Sequence, residues 1–193
     1  MPMLHKLSVK LSELLVQSGM NPEFKAHYAY GAECTLGTAI VLTVLFLYAI
    51  IAKQCLYMLV YIIAWLPLRV FVGGAHAHTH IGCNLTSIGL GILSVAFTEY
   101  LHKIPIYVML PITAVCYIVF FIVAPVIHKN HPVSDERIKR MRRFARIYSA
   151  VIGIVLCVCC IIHTKYRVPV FMAYLTTAIS AVIGYFSKSR LKT

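Results

Sequence analysis

Long hydrophobic runs separated by short polar segments dominate the chain. Six of them reach or approach the length that crosses a hydrocarbon core of about 30 Å. They are residues 34–52, 54–72, 81–98, 104–127, 147–163 and 168–186. The pattern predicts an all-α polytopic membrane protein with about six transmembrane helices, in one domain over residues 1–193. Pro67 and Arg69 interrupt the second run, and the third begins with polar residues. An alternative arrangement therefore has four full spans and two re-entrant half-helices.

The first twenty residues are helical in pattern but too polar to span a membrane. Leucines recur at intervals of three and four along one face, with lysines and other polar residues on the opposite face. Gly19 and the pair Asn21-Pro22 mark the end of this segment. The pattern predicts an amphipathic helix at the cytoplasmic interface of the bilayer, within a cytoplasmic N-terminus of residues 1–33. A helix packed on the protein itself explains it equally well. The leucines are Leu4, Leu7, Leu11, Leu14 and Leu15.

Composition and charge agree with a membrane protein and give its orientation. The chain is 60% hydrophobic and 12% charged, whereas soluble domains carry roughly 25% charged residues. The net charge of +12 does not indicate nucleic-acid binding, because no base-stacking fold signature accompanies it. With the N-terminus inside, only Lys53, Lys103, Lys165 and Arg167 fall in outside loops, and the basic segment 128–146 becomes a cytoplasmic loop. The segment between the second and third spans then lies on the cytoplasmic side.

That segment carries the chemistry of the chain. Residues 69–87 hold an arginine, three glycines, three histidines and a cysteine, although ionisable groups at membrane depth cost several kcal/mol. Cys83 needs a neighbouring base or cation to act as a nucleophile at neutral pH. On a straight helix His76 would lie about 10.5 Å along the axis from Cys83. His76 can therefore be the base only if the chain bends, which Gly73-Gly74 and Gly82 permit. His80 could reach Cys83 on an unbroken helix and is the rival base.

Metal binding is an alternative use of the same side chains. His76, His78, His80 and Cys83 together offer enough nitrogen and sulfur ligands for zinc. Alternating histidines share a side only in an extended strand, however, and the chain has no HExxH pattern. We therefore expect no metal and no cofactor. A zinc-dependent membrane peptidase and a non-enzymatic peptide exporter remain the alternatives.

The motif resembles the accessory gene regulator B (AgrB) family of membrane cysteine endopeptidases. The family pattern falls on Arg69, Gly73-Gly74, His76-Ala77, Cys83 and Ser87. The resemblance continues in Ala124-Pro125, His131-Pro132 and the run Ser134-Asp135-Glu136-Arg137, and length and span number agree over nearly the whole chain. His78 and His80 have no counterpart that we can assign.

The resemblance implies a function and a mechanism. His76 would deprotonate Cys83, and the thiolate would cleave the C-terminal tail from an AgrD-type precursor peptide. The acyl-enzyme thioester would then pass to a cysteine or serine of the precursor, giving a cyclic thiolactone or lactone for quorum sensing. Such transfer suits a site where water is scarce. The resemblance further implies a homodimer in the cell membrane, with the active site at the cytoplasmic side.

Other residues are candidates for supporting roles. Arg69 could hold the bent loop or a substrate carboxylate, or extend to the membrane interface. Ser87, one turn after Cys83, could support the site or simply pack in a helix. Glu99 is about 24 Å along a helix from Cys83 and is excluded as a third catalytic residue. Basic residues of the 128–146 loop could bind an acidic peptide tail or anionic lipid. The candidates for the tail are Arg137, Lys139, Arg140, Arg142 and Arg143.

Overall fold

The computed structural model describes residues 2–73, 80–126 and 135–190, and the side chains of 2–4, 80–81 and 187–190 are not among the described groups. These parts of the chain are almost entirely helical, without a β-strand, which confirms the predicted all-α class. The helices are α1 Pro2–Gln17, a short 3₁₀ turn Pro22–Phe24, α2 Lys25–Ile51, α3 Cys55–Val72, α4 His80–Ala96, α5 Thr98–Leu101, α6 Ile106–Val123, α7 Asp135–Ile161 and α8 Arg167–Arg190.

Each of the six predicted spans has its own helix. In the described ranges, α2, α3, α6, α7 and α8 are long and apolar enough to cross a membrane. The α4 helix is apolar but has only 17 residues, about 25 Å at the rise of an α-helix. It falls a few ångströms short of a core of about 30 Å. The protein is thus a multi-pass membrane protein, and Cys83 lies on α4, which is one residue shorter than α3 and α6.

Two helices extend well beyond the apolar runs that predicted them. The α2 helix begins at Lys25, nine residues before the predicted span. The α7 helix begins at Asp135, so residues 135–146 of the region predicted as a loop are its first three turns. Lysine and arginine are good helix formers, and Asp135 and Glu136 favour a helix N-terminus. Hydropathy locates the limits of the lipid core and does not report where a helix ends.

The predicted N-terminal helix forms, and it packs through its small polar side chains. Ser8 and Ser12 are fully buried, whereas the leucines on the other face, among them Leu7 and Leu14, are about half exposed. Lys25 Nζ on α2 lies 3.0 Å from Glu13 Oε1 on α1. The leucines therefore point away from the bundle, as they would in a helix that lies in the membrane interface. That location stays a prediction.

The α8 helix is the most buried of the long helices and packs against α3, α4, α6 and α7. Ala173, Ala178 and Ala181 are buried along it, and small side chains allow neighbouring helices to approach closely. Tyr174 is fixed by an edge-on contact with the Phe120 ring and donates a hydrogen bond of 2.9 Å to the Ser149 carbonyl. The outcome is a rigid central helix that reaches from one end of the bundle to the other.

The end of the bundle that holds the α5–α6 turn has its own polar contacts. Arg167, at the start of α8, is 6% exposed, and its Nη2 donates to the carbonyl oxygen of His102 at 2.7 Å. Glu99 accepts a hydrogen bond of 3.1 Å from the Tyr57 hydroxyl. Arg167 and Glu99 lie at the end of the bundle opposite to Cys83. The exclusion of Glu99 from the active site agrees with this position.

Candidate active site

Cys83 lies on the first turn of α4 and is half-buried. Arg69, on the last turn of α3, points its guanidinium at the thiol: Nη2 is 3.3 Å from Cys83 Sγ. The other terminal nitrogen of the same guanidinium, Nη1, is 2.7 Å from Ser180 Oγ on α8. Three helices thus meet at one side chain, and a permanent positive charge lies against the sulfur. A cation in this position stabilises the thiolate form of a cysteine.

Gly73 ends α3 in a conformation that only glycine adopts readily. Its φ of 76° and ψ of −154° lie in a region nearly closed to other residues. Next to it, the Val126 N–H donates to the Val72 carbonyl at 2.9 Å, which joins the end of α3 to the segment after α6. A β-carbon on Gly73 would lie 2.7 Å from the Val126 carbonyl oxygen. The predicted motif glycine and the segment following Ala124-Pro125 are therefore in contact.

A straight helix from residue 73 to residue 87 is excluded by these observations. α3 ends at Val72, Gly73 is not helical, and α4 begins at His80. Gly82, predicted as a point of bending, instead lies within α4. The hypothesis that His76 is the base requires a bend between His76 and Cys83. Residues 74–79 lie outside the described part of the chain, so this bend stays a prediction.

Several predicted site residues lie outside the described part of the chain. Neither the backbone nor the side chains of Gly74, His76 and His78 are described. For His80, only the backbone at the start of α4 is described. The choice between His76 and His80 as the base therefore stays a prediction. Among the described side chains no cluster of three or more His, Cys, Asp or Glu could hold a metal. The side chains of His76, His78 and His80 are not among the described ones, so this result does not test the zinc alternative.

Ser87 and Thr86 hydrogen-bond the backbone that carries Cys83. Ser87 Oγ donates to the Cys83 carbonyl at 2.9 Å, and Thr86 Oγ1 lies 2.9 Å from the carbonyls of both Gly82 and Cys83. Such bonds to the preceding turn are common for hydroxyl side chains in helices. Ser87 thus touches the main chain of Cys83, consistent with a role in holding the first turn of α4.

The structure adds three α2 residues that the sequence did not reveal. Tyr30 and Cys34 lie one turn apart on α2, and both are within electrostatic range of Cys83. Glu33, between them, lies 3.5 Å from His5 Nδ1 of α1. Their spacing of three and four residues places them on one helix face. That spacing was visible in the sequence, but nothing there indicated that α2 packs beside Cys83.

The predicted tail-binding residues form an exposed basic surface on the first turns of α7. Arg137, Lys139, Arg140, Arg142 and Arg143 are all exposed. Arg146, the next basic residue, instead turns into the bundle: it lies 3.9 Å over the Phe121 ring, and Nη2 donates to the Phe121 carbonyl at 3.3 Å. The helix therefore exposes five basic side chains and uses the sixth for packing.

Fold and site together define a polytopic α-helical membrane protein with an arginine-paired thiol at the start of a short span. Residues 6–187 match the family model described as Accessory gene regulator B. An AgrB-like protein of Clostridium perfringens (strain SM101 / Type A) is 29% identical over 146 residues, covering 72% of this chain and 68% of its own length. No solved structure matches the chain. The chain belongs to the accessory gene regulator B family and, as a member, has a role in the accessory gene regulator system of quorum sensing.

Proposed function

We propose that this protein is a cysteine endopeptidase that removes the C-terminal tail of an AgrD-type precursor and passes the acyl group to the precursor itself. The observation that carries the proposal is the 3.3 Å contact between Arg69 Nη2 and Cys83 Sγ. A buried structural cysteine needs no cation against its sulfur, whereas a nucleophilic thiolate does. Membership in the family supports an AgrD-type peptide as the substrate.

The reaction proceeds in two acyl transfers. His76 accepts the proton of the Cys83 thiol, and the sulfur attacks the carbonyl carbon of the scissile peptide bond. The carbon–nitrogen bond breaks, the new amine of the tail receives the proton from His76, and a thioester remains on Cys83. The thiol or hydroxyl of a precursor cysteine or serine then attacks the thioester while His76 accepts its proton. The bond between the acyl carbon and Cys83 Sγ breaks, the ring closes, and the proton returns to the Cys83 sulfur. Burial of the site limits competing hydrolysis.

The basic face of α7 supports binding of an acidic tail. Its five exposed cations are carried on a helix, so their spacing is maintained without a partner. Charges of one sign on a surface raise the local concentration of an oppositely charged peptide and speed its association. We place this face, together with Cys83, on the cytoplasmic side, and the surplus of basic residues there supports this orientation.

Co-expression with the cognate precursor tests the proposal. We expect Cys83→Ala and His76→Ala to abolish release of the tail, while Cys55→Ala, which removes an exposed thiol at the start of α3, leaves it intact. Release by the Cys83→Ala variant would disprove the thiol mechanism. Loss of release in His80→Ala with full release in His76→Ala would identify His80 as the base. Inhibition by a chelator, with zinc bound in stoichiometric amount, would support the zinc enzyme instead.

Labelling from outside the cell tests the orientation. A cysteine replacing Lys139 on the basic face should resist a membrane-impermeant maleimide in intact cells, and one replacing Lys103 in the α5–α6 turn should react. The reverse pattern would place the basic face outside. Crosslinking in membranes checks the homodimer, which the family resemblance supports.

A further inference from the structure

We propose that Ser180 is a positioning residue for the reaction, one that holds the Arg69 guanidinium against the sulfur of Cys83. The inference rests on the proposed function. Ser180 Oγ is 2.7 Å from Arg69 Nη1, and Arg69 Nη2 is 3.3 Å from Cys83 Sγ. The two contacts use the two ends of one planar group. Fixing one end therefore sets the direction of the other.

The location of Ser180 suits this role. It lies on α8, the central helix, whose neighbouring residues Thr177, Ala178 and Ala181 are all buried. Arg69 extends from the last turn of α3, close to Gly73, where the helix ends. An arginine side chain has many rotamers, and a hydrogen bond from a rigid helix selects one of them. Ser180 thus connects the most buried of the long helices to the charge that lies next to the thiol.

The hydroxyl is the only part of Ser180 that this role needs. It accepts the N–H of Arg69. A threonine at position 180 keeps this acceptor oxygen and should preserve the role, whereas an alanine lacks the oxygen and should not. Without this acceptor the guanidinium loses the 2.7 Å contact that directs its other end toward the sulfur. The thiolate then loses a charge-assisted hydrogen bond, the stronger kind in proteins.

Other titratable groups also face the thiol and are unchanged by substitution at Ser180. From α2 these are Tyr30 and Cys34, with Glu33 next to them, and from α3 Tyr61 interacts electrostatically with Arg69. His76 and His80, the candidate bases of the proposed function, are titratable as well. The α8 stretch 176–184 carries no titratable side chain of its own. A change in the pH dependence of Cys83 reactivity on replacing Ser180 therefore reports on Arg69.

Alkylation of Cys83 in the purified full-length protein tests the proposal without any precursor. The rate with iodoacetamide is followed from pH 5 to 10 by mass spectrometry of the peptide that contains Cys83. For Ser180→Ala we expect the pH of half-maximal rate to rise by about half a unit, so that the rate at neutral pH falls about threefold. Ser180→Thr should keep the wild-type profile. Failure of precursor cleavage would not affect this result, so the two proposals fail separately.

Two comparisons distinguish positioning from a general loss of structure. Thr177→Val removes a buried hydroxyl one turn earlier on α8, one that bonds only its own helix carbonyl at Ala173 among the described contacts. It should leave the profile unchanged. In an Arg69→Met background, Ser180→Ala should have no further effect, because the group it positions is gone. An unchanged profile in Ser180→Ala, an equal shift in Thr177→Val, or an undiminished effect in the Arg69→Met background would each overturn the proposal.

Discussion

Replacing Gly73 by alanine should uncouple the end of α3 from the segment after α6. The substitution forces a non-glycine residue to φ 76° and ψ −154°, and it places a β-carbon 2.7 Å from the Val126 carbonyl oxygen. The backbone conformation costs about 1–3 kcal/mol. The contact cannot be relieved by a side-chain rotation, because the neighbouring atom belongs to the backbone. We therefore expect a loss of roughly 2–4 kcal/mol at this junction, the upper part coming from displacement of Val126.

The measurement is a thermal unfolding midpoint in detergent, paired with tail release from the precursor. The size scaling for a chain of this length gives a decrease of about 5–10 °C. Tail release should fall much further than the folded fraction, since Arg69 lies one turn before Gly73 and moves with it. Gly89→Ala is the matched control: a β-carbon there meets no atom within 4 Å, and alanine is the better helix former. Wild-type midpoint and activity in Gly73→Ala would refute the reasoning.

The remaining predictions concern packing, the opposite end of the bundle and the basic face. Gly91→Ala places a β-carbon 2.7 Å from Leu45 Cδ2; it should destabilise the protein by about 1–3 kcal/mol, and shortening Leu45 to valine in the same chain should recover part of the lost unfolding midpoint. Arg167→Met removes the donor to the His102 carbonyl and should also destabilise the protein by about 1–3 kcal/mol. Cys83 in the folded fraction should still be alkylated at the wild-type rate. A slower rate would show that the far end of the bundle influences the site. Glutamine at all five exposed basic positions of 137–143 should slow release of an acidic tail at low salt, with the deficit shrinking as salt rises; a deficit independent of salt would argue against charge recognition.

The family motif and the helical architecture could be read from the sequence because both are local properties. A run of apolar residues predicts a span wherever it packs, and the spacing from His76 to Cys83 requires a break whatever lies around it. That bend would lie in residues 74–79, outside the described part of the chain, and stays a prediction. Of the glycines expected to permit it, Gly73 has an unusual conformation and Gly82 is an ordinary member of α4. Helix ends were predicted poorly, since basic residues extend α7 beyond the lipid core without interrupting it.

The partners of the thiol could not be read in the same way. Arg69 stood out as a charge in an apolar run, yet the sequence left open whether it served the loop, a substrate or the interface. Ser180 is 97 residues beyond Cys83 in an unremarkable apolar helix, and its relevance depends on α8 lying between α3 and α4. Tyr30 and Cys34 depend in the same way on the packing of α2 against α4.

What the sequence determined by itself was the class of protein and its helical architecture, and it singled out Cys83 as the candidate nucleophile, because hydrophobic length and a rare chemical cluster are carried by consecutive residues. What the tertiary structure alone decided was the surroundings of that nucleophile. In a lipid bilayer every apolar helix face is compatible with its surroundings, so hydrophobicity does not specify which helices are neighbours. Close packing of small side chains along α8 does, and it is this packing that brings Ser180 to Arg69 and Arg69 to Cys83.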